Sequence, residues 1–187
     1  VSGPSTVTFN GVISDFSSSG KIALTQLGTG RTILAATNAF TGDVTISSGT
    51  VQLGNATTSN GSVAGNIADN AALVFANPND QGYSGIISGT GTVTKSNAAV
   101  LTLSGANTFS GGMTLAAGML KLGGANVVGT GNITNNGAAL DLNGQTLTNA
   151  IPVITTGGLI TNSSGSAATV SAAIGSSLAS QLGSFTV

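Results

Sequence analysis

The chain matches itself. Residues 24–54 align without gaps on residues 93–123, an offset of 69. Nine aligned positions are identical: Thr25 with Thr94, Leu34 with Leu103, Asn38 with Asn107, Phe40 with Phe109, Gly42 with Gly111, Thr45 with Thr114, Gly49 with Gly118, Leu53 with Leu122 and Gly54 with Gly123. Others exchange like for like, as Val44 with Met113 and Ile46 with Leu115. A unit too short to bury a core alone folds by stacking on its neighbours, so repeat architectures come before ordinary globular folds. Upstream, Gly11-Val12-Ile13-Ser14 matches Gly85-Ile86-Ile87-Ser88 at an offset of 74, which leaves about five extra residues around Asp15 to Lys21 and puts that insertion in a loop. Downstream, Leu73-Val74-Phe75 corresponds to Leu140-Asp141-Leu142 at an offset of 67. The unit is near 70 residues: copy one at about 9–75, copy two at about 83–150, and a partial third unit from about 169, all within a single segment, 1–187.

Inside each copy the local signal is short strands. Val44-Thr45-Ile46, Val51-Gln52-Leu53, Leu101-Thr102-Leu103, Met113-Thr114-Leu115, Leu120-Lys121-Leu122 and Leu140-Asp141-Leu142 read apolar, polar, apolar, the pattern of a strand with one buried face. Between them lie Asn10-Gly11, Asn60-Gly61, Asn136-Gly137 and Asn143-Gly144, pairs that accept the backbone of tight turns. No stretch carries a helical period with caps, so helix content is expected near zero. Sandwiches and propellers use longer strands and aromatic cores, whereas this chain has no Trp and one Tyr. Rungs stacked about 4.8 Å apart make a narrow interior suited to aliphatic ladders. The expected fold is all-β: a right-handed parallel β-helix of roughly eight rungs, spanning about 40 Å and part of a longer solenoid.

Composition agrees. Charged residues make up 5% of the chain, far below the roughly 25% of ordinary domains. Like charges stacked on successive rungs would repel, whereas Thr, Ser and Asn can hydrogen-bond along the stack. Disorder is excluded because 40% of residues are hydrophobic and the mean hydropathy is +0.39. Net charge is −1, and the cations Lys21, Arg31, Lys95 and Lys121 are too dispersed for a phosphate-binding stripe, so nucleic acid is not an expected partner. Beyond Asp141 no charge occurs, yet Gly, Ser, Thr and Asn break every apolar run short of a membrane-spanning helix, so no membrane insertion of this segment is expected. The lack of Cys rules out disulfides and thiolate metal sites and suits an exported protein. The chain starts at Val1, with no signal peptide, and reads as cut from something longer.

The run from Asn107-Thr108-Phe109-Ser110-Gly111-Gly112-Met113-Thr114-Leu115 to Gly118-Met119-Leu120-Lys121-Leu122-Gly123 resembles the autotransporter-associated β-strand repeat, also called the passenger-associated transport repeat. Thr94-Lys95 with Leu101-Thr102-Leu103-Ser104-Gly105 resembles its preceding half, and Tyr83-Ser84-Gly85-Ile86-Ile87-Ser88-Gly89 its lead-in. Copy one follows more loosely, with Gln26 and Leu27 near the family's usual Lys. The resemblance implies a segment of a bacterial autotransporter passenger, located outside the cell or on its surface. It also implies secretion across the outer membrane through a C-terminal translocator barrel of the parent protein. Such passengers include adhesins, self-associating proteins, toxins and proteases, so the resemblance leaves activity open.

The chemistry narrows that range. Without His or Cys no Ser-His-Asp or Cys-His nucleophile can form. Lys95 followed by Ser96 reads as an exposed strand-edge Lys in a Ser-rich chain. Asp43, Asp69, Asp80 and Asp141 are spread along the sequence, and Gly112 replaces Asp43 in copy two, so the repeat builds no carboxylate column. Asn79-Asp80 reads as an ordinary turn. Thr6, Thr8, Thr92, Thr94 and Thr114 are too irregularly spaced for the flat two-column array of an ice-binding face. Phe40 and Phe109 read as a stacked core or turn-packing pair, and Asn38 and Asn107 as turn caps. The expectation is a non-enzyme with no catalytic residue, no metal residue and no cofactor. It acts as a rigid stalk or as an adhesive surface, through self-association or a host or neighbouring-cell ligand. The alternative is the inert stalk of an enzyme or toxin passenger whose active part lies outside the segment.

Overall fold

Every apolar-polar-apolar triplet named above lies in or overlaps a strand of two to four residues in the computed structural model, which describes residues 5–17, 20–155 and 157–175. No helix occurs among the described residues. All named strands pair in parallel and fall on three faces that follow one another in a fixed order, although not every turn has a strand on each face. The first face holds eight strands: Thr6–Phe9, Arg31–Leu34, Thr50–Leu53, Ala72–Phe75, Thr92–Lys95, Met113–Leu115, Ile133–Asn135 and Val153–Ile154. The second holds Gln81–Tyr83, Val100–Leu103, Met119–Leu122, Ala139–Asp141 and Leu159–Thr161. The third holds Leu24–Gln26, Val44–Ile46, Ile67–Asp69 and Ile87–Ser88, and a two-stranded ladder of Thr146–Leu147 with Thr169–Val170 takes the same place in later turns.

The architecture is therefore the expected β-solenoid, with about 7 turns where roughly eight were expected. The first turn is longer than the later ones. Thr6 pairs with Arg31 across a first turn lengthened by the insertion, whereas later turns take about 20 residues. The partial third unit expected from about 169 extends past residue 175, outside the described residues, where Ser18 and Ser19 of the insertion also lie.

Period 2 and parallel register together build the core. On the first face Val51, Leu73, Val93, Met113 and Ile133 stack in one inward column, each buried. Leu101, Leu120 and Leu140 do the same on the second face, and Val44, Ile67 and Ile87 on the third. Each such side chain contributes about 1.5–3 kcal/mol of burial. Phe40 and Phe109 are fully buried, but they are not a pair, since more than three turns separate them. The ring contact among the described residues is Phe75 on Tyr83, with centroids 5.9 Å apart and planes tilted by 53°.

Two glycines of the repeat are required by geometry. Gly49 and Gly118 take φ of +69° and +71°. A Cβ at Gly49 would lie 2.3 Å from the Gly30 oxygen, and one at Gly118 2.3 Å from the Asn97 oxygen, each a carbonyl of the previous turn. The repeat conserves a backbone conformation and a close approach that side chains prohibit.

The two copies occupy different faces. In copy one Leu24–Gln26 and Val44–Ile46 lie on the third face, with Arg31–Leu34 and Thr50–Leu53 on the first. Their aligned partners in copy two, Thr92–Lys95 and Met113–Leu115, lie on the first face, with Val100–Leu103 and Met119–Leu122 on the second. Leu73 on the first face likewise corresponds to Leu140 on the second. A unit near 70 residues wound at about 20 per turn advances by three turns plus one face. The repeat is thus a pattern of strand, corner and strand that fits any side of the solenoid.

Candidate functional site

Polar side chains gather at the corners, where a strand ends and its backbone carbonyls lose their ladder partners. Lys95 is the clearest case. It was expected at an exposed strand edge; instead it is 3% exposed, in the inward column between Phe75 and Leu115. Its Nζ donates to the carbonyls of Ser96 at 2.8 Å and Asn97 at 2.7 Å, and to Ala117 of the next turn at 3.2 Å. Three carbonyl dipoles take the three ammonium hydrogens, so a charge without a bonded counter-ion is held inside the wall. Burial pushes its pKa down to about 8, against the opposing pull of Asp80. The phase of the strand carried this signal: with Val93 inward, Lys95 two residues later must also point inward.

Gln26 stands at the aligned position and does the same work without charge. Its Nε2 donates to Gly28 at 2.7 Å and Gly30 at 3.2 Å, while its Oε1 accepts from the Thr32 hydroxyl at 2.6 Å. Gln52 donates to the Gly54 carbonyl at 2.7 Å, and Asn135 clasps both the N–H and the carbonyl of Ala138. Asp69 closes the corresponding corner on the third face less completely. It is fully buried, its Oδ1 accepts from Ala71 N–H at 3.0 Å, and its Oδ2 has no partner. Burial pushes its pKa up to about 6.

Asn38 and Asn107 do more than cap turns. Asn107 Oδ1 accepts from Ile87 N–H of the preceding turn at 2.7 Å, and its Nδ2 donates to the Val127 carbonyl of the following turn. Asn38 repeats the arrangement between Ile13 N–H and the Ser62 carbonyl, at 3.0 Å each. One amide therefore bridges three rungs where no regular strand is present. Asn149, which the sequence reading missed, donates to the carbonyls of Gly129 and Gly131.

Each carboxylate is likewise engaged with backbone or with a neighbouring turn. Asp15 anchors the insertion: it accepts from Ile22 N–H at 2.7 Å and from the N–H and hydroxyl of Thr41, and these bonds, with Lys21 nearby, lower its pKa despite some desolvation. Asp43 accepts from Asn66 N–H. Asp80 accepts from Val100 N–H of the next turn, so Asn79-Asp80 joins rungs as well as turning the chain. Burial raises the Asp141 carboxyl, but the hydroxyl and N–H of Ser163, Asn143 N–H and Lys121 outweigh it and hold it low. No group of three potential metal-ligating acids forms among the described residues.

The outer surface carries few charges and mixes polar residues with exposed apolar side chains such as Phe16, Leu27 and Leu159. Thr94, Thr114 and Thr134 stack in register on the first face, more regularly than their sequence spacing suggested. Thr8 pairs with Ile33 instead, so the column is short and single. Where the third-face ladder is interrupted, a depression of about 550 Å³ opens, lined among others by Thr108, Asn126, Thr130 and Thr148.

Comparison with known proteins agrees with this geometry. Residues 24–53 and 93–122 match the family described as Passenger-associated-transport-repeat. The chain is also similar to a protein named Adhesin BmaC autotransporter, from Brucella suis biovar 1 (strain 1330), with 54% identity over 56 residues. That alignment covers 30% of this chain and 2% of the relative, so the chain spans a small fraction of that protein's length. No solved structure matches.

Proposed function

Taking as premise that two passenger-associated transport repeats on one β-solenoid make this a passenger-type segment, secreted and exposed at the cell surface, we propose that it acts as a stiff adhesive stalk. The observation that carries this reading is the unbroken eight-strand ladder of the first face, backed by inward columns on all three faces. Such a ladder resists bending because every rung is hydrogen-bonded to the next. Outside it presents Thr94, Thr114 and Thr134 in register, and charged residues make up only 5% of the chain, so few charges repel an approaching surface. Many weak contacts along such a face add up when two surfaces meet in parallel.

The partner is a second passenger of the same kind or a ligand on a host or neighbouring cell, and a C-terminal barrel of the parent protein carries the segment across the outer membrane. The segment itself takes no part in catalysis, since its five carboxylates and its buried lysine all serve backbone or neighbouring turns. The test is surface display of the parent protein with and without residues 24–123, scored by cell aggregation and by attachment to host cells. Loss of either supports adhesion; equal behaviour with unchanged display restricts the segment to a spacer.

A further inference from the structure

One corner carries polar atoms that the protein itself does not satisfy. Between Ala72–Phe75 on the first face and Gln81–Tyr83 on the second, the chain runs through Asn77, Pro78, Asn79 and Asp80. Gly61 of the preceding turn orients two amides there. Its N–H donates to Asn77 Oδ1 at 2.7 Å, and its carbonyl accepts from Gln81 Nε2 at 2.9 Å. These two bonds determine which end of each amide points elsewhere: the Asn77 Nδ2 donor and the Gln81 Oε1 acceptor. Both atoms are buried without a protein partner, and Asn77 as a whole is 6% exposed.

Both residues line one small cavity, together with Phe75, Lys95, Ala99 and Leu101. Its free volume for a water-sized molecule is about 10 Å³, at the lower end of the roughly 10–15 Å³ that one water needs. We propose that this cavity is the binding site of one resident water molecule, which accepts from Asn77 Nδ2 and donates to Gln81 Oε1. One donor and one acceptor, both desolvated, complement water and no common ion. A chloride ion would meet the lone pairs of Gln81 Oε1. A metal ion would meet the hydrogens of Asn77 Nδ2. The Lys95 ammonium does not call for an anion here, since its three hydrogens already go to carbonyls. The water would be a structural part of the wall, joining the strand end to the corner as Lys95 does in the next turn.

The decisive measurement is a crystal structure at a resolution that shows ordered solvent, with long-wavelength anomalous data. A single non-anomalous peak within hydrogen-bond distance of Asn77 Nδ2 and Gln81 Oε1 supports the proposal. An anomalous peak, or a cavity without density, overturns it. In solution, magnetic relaxation dispersion counts long-lived waters, and Gln81→Leu extends the inward column of Leu101 while removing the acceptor. The count should fall by one in that variant; an unchanged count in a folded variant overturns the site.

Discussion

Asp69 offers the sharpest test of how the corners work. Its carboxylate is fully buried, with one bond from Ala71 N–H, a free Oδ2 and the Gly91 backbone packed against it so closely that a Cβ there would sit 2.3 Å from Oδ1. Burial raises its pKa to about 6 from an ordinary 3.8. The folded state therefore holds the proton more tightly than the unfolded state. Below about pH 4 both states are protonated and ionisation carries no penalty; between about 4 and 6 the penalty grows, and above that it is full. At about 1.4 kcal/mol per pKa unit, the penalty approaches 3 kcal/mol. Asp69→Asn keeps the carbonyl acceptor for Ala71 N–H and removes the charge, but it leaves a buried N–H unpaired, which costs about 1–3 kcal/mol. That cost applies at every pH, so the telling quantity is the difference between the two proteins. Urea unfolding midpoints measured from pH 4 to 8 should show the variant gaining on the wild type as pH rises, by about 2 kcal/mol or more across the range, then levelling off above about 7. A constant offset between the two curves from pH 4 to 7 would refute the idea that an unpaired buried carboxylate destabilises this corner.

Three further outcomes follow from the same geometry. Lys95→Gln should be tolerated within about 1 kcal/mol, because Gln26 holds the aligned corner with an amide, whereas Lys95→Met leaves three carbonyls without a donor and should cost about 2–4 kcal/mol by chemical denaturation. Asn107→Ala removes the bridge between Ile87 and Val127 and should cost about 2–4 kcal/mol, with amide exchange accelerated at Ile87 N–H specifically. Gly118→Ala places a Cβ against the Asn97 and Ala99 carbonyls at positive φ, and should lower the thermal midpoint more than Gly82→Ala, where nothing lies within 4 Å.

What the sequence determined by itself is local. Alternation in Val44-Thr45-Ile46 and Met113-Thr114-Leu115 dictates a strand with one buried face, and glycines such as Gly49 and Gly118 dictate the corners. From these came the parallel solenoid and the absence of helix. The strand phase even held the burial of Lys95, although the charge suggested a surface position. What only the tertiary structure decided depends on the winding. About 20 residues per turn is a property of stacked rungs, and it alone sends copy one and copy two to different faces, separates Phe40 from Phe109 and brings Thr94, Thr114 and Thr134 into register. It also decides what each polar side chain meets, because Asn107, Asp141 and Asn77 bond to residues a full turn away. Those partners lie close in space only once the rung below has formed, so no spacing along the chain announces them.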